Sequence, residues 1–142
     1  MVVEGKERAR ILDYIDDDPC YMVKVQIESA DEQRGPELAA LARNALHEFE
    51  EYVKLSKRLP PEIIVGMGDV DRPGDLADEI AAHLQMRVEA KQALLESLDA
   101  RERLERLSVA LRSELEILEL ERKINARVRR QMEKTQKEYY LR

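Results

Sequence analysis

The 142-residue sequence has no Trp, one Phe and one Cys, and only 4% of its residues are aromatic. A single thiol, Cys20, forms no internal disulfide and suits a reducing compartment. No apolar run approaches 18 residues and no basic segment leads into an apolar one, so neither a membrane span nor a secretory signal is expected. These absences point to a cytoplasmic protein with an aliphatic core. Glycine-rich phosphate loops are also missing. The nearest approach, Gly66-Met67-Gly68-Asp69, lacks the following Lys that would reach a nucleotide, and reads as a turn. His47 and His83 stand alone without ligand spacing for zinc, and Asp16-Asp17-Asp18 lacks the pattern of a calcium loop. No metal or cofactor is expected.

Glycine and proline are absent altogether from residues 99–142, and this stretch reads as one long helix. Its 44 residues, at about 1.5 Å each, would extend beyond a small globular body. Leu104, Leu107, Leu111, Leu115 and Leu118 recur at the three- and four-residue steps that share a helix face. Ile117, Leu120, Ile124, Val128 and Met132 continue as a thinner, drifting stripe, interrupted by Arg122 and Asn125 as a dedicated zipper would not be. Asp99 supplies an N-cap, and Glu102 three residues on suggests a capping box.

Charge is divided along the chain. Residues 121–142 carry eight Lys/Arg against three acids, although the whole sequence has a net charge of −6. An acidic body bearing a basic arm follows. Arg127, Arg129, Arg130, Lys134 and Lys137 could neutralise phosphates, and DNA binding through them would weaken steeply with salt. The interspersed Glu121, Glu133 and Glu138 fit an ordinary solvated helix better.

The first 27 residues have a β pattern. Residues 9–15 and 21–27 flank Asp16-Asp17-Asp18-Pro19, and Tyr21, Val23, Val25 and Ile27 alternate with polar neighbours as in a half-buried strand. Two strands are marginal alone, so the sheet is expected to be the end of a larger β-rich lobe cut off at its beginning. A polar loop over 29–35 leads to Pro36, suited to a first helical turn. Leu38, Leu41, Ala42, Ala45, Phe49, Tyr52, Val53 and Leu59 predict a helix running to Pro60-Pro61. Residues 60–74 predict a helical turn and a loop. Asp75 is the expected N-cap of a helix through Leu76, Ile80 and Leu84, and a shorter helix carries Val88, Ala90, Leu94 and Leu95. The fold class is mainly α: a helical bundle over 36–118, preceded by a hairpin over 1–30 and followed by an extended basic neck over 119–142.

Several of these segments have a further property in common. VEGKERARI (3–11), DRPGDLADEIAAHL (71–84), KQALLE (91–96), Glu102-Arg103-Leu104 and KTQKEYYLR (134–142) resemble, in this order, landmarks of the amino-terminal domain of Lon, the ATP-dependent protease family. The resemblance spans essentially the whole chain. It implies a fragment lying between a missing β-rich beginning and absent ATPase and peptidase modules, where ATP and magnesium would belong. The family's Ser-Lys peptidase chemistry finds no matching motif around Ser29, Ser56, Ser97, Ser108 or Ser113. The expected role is therefore non-catalytic: capture of unfolded or degron-bearing proteins, with self-association in a ring hexamer. Candidate substrate contacts are Ile64, Val65, Met67 and Met86, adaptable apolar residues in or beside loops; closure of the bundle core is the competing use for them. Arg127, Arg130, Lys134, Tyr139 and Tyr140 mark the neck. A coiled-coil assembly element is the alternative reading.

Overall fold

The computed structural model describes residues 1–28, 34–68 and 71–141. Most of the polar loop expected over 29–35, Asp69 of the expected turn, and Arg142 lie outside them. By contact the chain divides into two units, Met1–Gln33 and Arg34–Arg142.

The first unit is an antiparallel hairpin of β1 (Arg8–Asp16) and β2 (Met22–Glu28). Met1–Lys6 form no strand. Between the strands, the Asp16 carboxylate accepts the backbone N–H groups of Asp17 and Asp18, and the Asp18–Pro19 peptide is cis. β1 does not alternate cleanly in sequence, and its register explains why. The pairing steps from Ile11↔Val25 to Asp13↔Lys24 and from Tyr14↔Val23 to Asp16↔Met22, leaving Leu12 and Ile15 as extra residues in two bulges. Each extra residue corrects the phase. Ala9, Ile11 and Tyr14 thus oppose Ile27, Val25 and Val23 on one face, while Arg8, Arg10, Asp13 and Asp16 oppose Glu28, Gln26, Lys24 and Met22 on the other. The polar face carries the Arg10–Glu28 ion pair at 3.4 Å. The expected burial of the apolar face is not found: Val23 is half-buried, but Ile11, Tyr14, Val25 and Ile27 are exposed.

The second unit contains α1 (Pro36–Ser56), a 3-10 turn over Pro61–Ile64, α2 (Pro73–His83), α3 (Val88–Glu96) and α4 (Ala100–Leu141). α1 packs along α4, and α2 rests on both. Their shared core is built from Leu38, Ala42, Ala45, Phe49, Tyr52 and Val53 of α1, Leu76, Ala77 and Ile80 of α2, and Leu104, Leu107 and Leu111 of α4. Phe49, Leu76, Ile80 and the three leucines are fully buried, each contributing roughly 1.5–3 kcal/mol by leaving water. Ala42 and Ala45, fully covered, keep the inner face of α1 thin enough for close helix packing.

Two helix ends differ from the expected ones, and at a third the expected cap forms without its capping box. α1 stops at Ser56 because Lys57 turns left-handed, with φ 54° and ψ 3°, so Leu59 lies beyond the helix and is half-buried from a loop. α2 begins at Pro73, whose missing N–H costs nothing in a first turn; Asp75 is therefore inside the helix, pairing with Arg72 at 3.5 Å, and is not the cap. At α4 the Asp99 Oδ1 accepts the Arg101 N–H at 2.9 Å, as an N-cap should. The second half of the proposed capping box is replaced, because the Glu102 carboxylate instead binds Arg106 at 2.7 Å, one turn on.

α4 continues without a break through 42 residues, but its surroundings change. Leu115 and Leu118 are half-buried against the core; from Glu119 to Leu141 every residue is exposed. Among the described residues, no helix is long and apolar enough to cross a membrane.

Candidate functional site

Pro60 and Pro61 follow the left-handed turn that ends α1, and the segment after them coils tightly. Three successive bonds of i→i+3 type join the Ile63 N–H to the Pro60 carbonyl, Val65 to Glu62 and Met67 to Ile64, each at 3.1 Å. Three residues per turn bring residues at i and i+3 into line, so Ile63 and Gly66 share one side, with Met67 beside them. The facing wall comes from α2, where Glu79, Ala82 and His83 occupy i, i+3 and i+4 on one helix face. Together with Glu62 these residues enclose an open cleft of about 450 Å³. The Gly68 N–H donates to Glu79 Oε2 at 2.6 Å and ties the end of the turn to α2. His83 is fixed from behind, its ring stacked on Phe49 with centroids 6.1 Å apart.

The cleft has two chemical zones. Ile63, Met67 and Ala82 give apolar surface, whereas Glu62 and Glu79 give two carboxylates, and among the described residues no Lys or Arg lines it. Ala82 and His83 also belong to the last turn of α2, the negative end of the helix dipole. Such a cleft accepts an apolar group and favours a cation at its rim. Among the described residues it contains no nucleophile and base in hydrogen-bonding range, and no three of His, Cys, Asp and Glu are placed to hold a metal ion. His47 pairs instead with Glu51 at 3.6 Å, and Cys20 is exposed.

Of the four residues singled out in the sequence as substrate contacts, only Met67 lines the cleft. Ile64 and Met86 are half-buried against the core, and Val65, at 88% exposure, projects into solvent. Periodicity could not separate them: Ile63, Ile64 and Val65 form an unbroken apolar run, and a 3-10 turn distributes them to three directions. Glu62, Ile63, Gly66, Glu79, Ala82 and His83 also line it and were not singled out as contacts. Nothing in the sequence alone brings Glu79 opposite Gly66. Arg127, Arg130, Lys134, Tyr139 and Tyr140 all lie on the exposed part of α4; the two tyrosine rings meet edge to face at 5.8 Å.

Residues 1–113 match the family model described as the ATP-dependent protease La (LON) substrate-binding domain. The chain belongs to the Lon substrate-binding domain family. This is a non-catalytic region of proteins named Lon protease. All 142 residues align with the Lon protease of Desulforamulus reducens at 54% identity, with that of Heliobacterium modesticaldum at 51% and with that of Brevibacillus choshinensis at 45%. The chain spans about 18% of the length of each of these relatives. The alignments include the exposed half of α4 beyond residue 113, so the Lon likeness extends past the substrate-binding family model and along the basic arm.

Proposed function

We propose that this chain captures unfolded or degron-bearing proteins for the ATPase and peptidase activities of a Lon protease. The observation that carries the reading is the open, partly apolar cleft between the 3-10 turn and α2, in a chain of the Lon substrate-binding family. Unfolded proteins differ from folded ones in exposing bulky apolar side chains, and a shallow cleft with an adaptable Met accepts many of them. Fluorescence anisotropy with one labelled protein in its reduced, denatured form and in its native form tests this. Binding of the denatured form alone is the expected result; equal affinity for both, or none for either, overturns it.

A second reading rests on a different observation. Ile117, Leu120, Ile124, Val128 and Met132 are exposed along α4, spaced as on a helix seam. They support a role in self-association, in keeping with the ring hexamer implied by resemblance. Light scattering across a concentration series tests it: a mass that rises with concentration supports assembly through this chain, and a constant monomer mass overturns it.

A further inference from the structure

The apolar wall of the cleft and the two carboxylates at its rim favour a ligand that satisfies both. In an extended polypeptide, side chains at i and i+2 project to the same side, about 7 Å apart, whereas i+1 points away. One such pair could place an apolar group in the cleft and a second group at its mouth. The first must contact Ile63, Met67 and Ala82, and the second meets Glu62, Glu79 and the negative end of α2. Glu79 gives one lone pair to Gly68, but a carboxylate has about four acceptor positions and this residue is exposed. A cation at the mouth is therefore attracted by three negative sources, and among the described residues no Lys or Arg lines the cleft.

We propose that the cleft binds extended polypeptide in which a bulky apolar residue is separated by one residue from a Lys or Arg. This specificity rests on the capture reading given under Proposed function and narrows it to one side-chain pattern. It also predicts a discrimination that apolar contact alone does not provide: an unfolded segment with Phe beside acids would be repelled. The contribution of the charge is modest because the rim faces water, and it acts through attraction that salt screens.

Two lining positions allow the test without disturbing the core. Among the described residues, a Cβ added at Gly66 would meet nothing within 4 Å, and Gly66 has no positive φ. Ala82 is exposed on a helix face. Three fluorescein-labelled peptides in one Ser/Asn background, containing Phe-Ser-Lys, Phe-Ser-Glu or Ser-Ser-Lys, would be titrated with the 142-residue chain and followed by anisotropy. Phe-Ser-Lys is expected to bind about tenfold more tightly than Ser-Ser-Lys, from burial of the ring. It is expected to bind about threefold more tightly than Phe-Ser-Glu, a ratio that falls toward one near 1 M salt. Gly66→Leu should remove most binding by filling the cleft, and the double variant Glu62→Lys with Ala82→Lys should reverse the Lys-over-Glu preference; far-UV circular dichroism verifies that both remain folded. Unchanged affinities in Gly66→Leu, or equal binding of the Lys and Glu peptides at low salt, overturn the proposal. If denatured protein still binds Gly66→Leu as it binds the parent chain, capture occurs elsewhere and the broader function survives. If neither peptides nor denatured protein bind the parent chain, both fail together.

Discussion

The guanidinium of Arg103 grips the carbonyl oxygen of Ser97 with two donors, Nε at 3.0 Å and Nη2 at 2.7 Å. The same group donates from Nη1 to the Gly74 carbonyl at 3.3 Å and lies 3.5 Å from Asp78. One buried side chain thereby joins the end of α3, the first turn of α4 and the start of α2. Arg103→Met should lower the unfolding free energy by about 2–4 kcal/mol, since it leaves buried carbonyls unpaired. Arg103→Lys should recover only part of this, lacking the planar fork. Urea denaturation of the two variants checks both values. Equal stability of Arg103→Met and the parent would show that water satisfies these carbonyls.

Ser108 presents the opposite case. Its hydroxyl is buried with no hydrogen-bond partner among the described residues. Ser108→Ala removes that polar group and improves helix propensity, so a gain of about 0.5–1 kcal/mol is expected. The thermal unfolding midpoint should rise; a fall would mean that the hydroxyl has a partner in solution.

Lys57 holds a left-handed conformation that disfavours a side chain with a Cβ. Lys57→Gly should stabilise the chain by roughly 0.5–1 kcal/mol, after the extra freedom that glycine gives the unfolded state is deducted. Lys57→Val should destabilise it. Chemical denaturation of this pair is informative because the position is exposed and no packing changes.

Leucines of the same helix should respond very differently. Leu107→Ala, in the fully buried segment, should cost about 2–5 kcal/mol. Leu120→Ala, 59% exposed, should stay within about 0.5 kcal/mol in the monomer. A large loss at Leu120 that appears only at high protein concentration would locate a self-association surface there.

The sequence was most legible where a physical signal was both local and repeated. The spacing from Leu38 to Val53 and from Leu104 to Leu111 identified the core faces of α1 and α4, and the absence of Gly and Pro identified α4 as continuous. Ends were less legible because a different constraint acted there. The left-handed Lys57 has no sequence signature as glycine would, and Pro73 rather than Asp75 determined the start of α2. β1 shows the limit most clearly. Its apolar residues break alternation, yet two bulges restore a common face, which emerges only from its pairing with β2. The candidate site was the least legible part. Met67 could be selected by residue type, but Glu79 and His83 reach it through tertiary packing, which periodicity along one element does not encode.

A continuous α4 has a mechanical consequence. Each residue advances the helix by about 1.5 Å and turns it by about 100°, so the azimuth of Tyr139 is fixed by the orientation at which Leu104, Leu107 and Leu111 seat in the core. Inserting one residue after Leu118 would leave every buried contact intact while swinging the entire arm through more than a quarter turn. An insertion of eleven would lengthen the arm by about 16 Å and almost restore its phase. The buried half of α4 thus acts as the keyed end of a shaft, setting the direction in which residues outside the core can meet a neighbour.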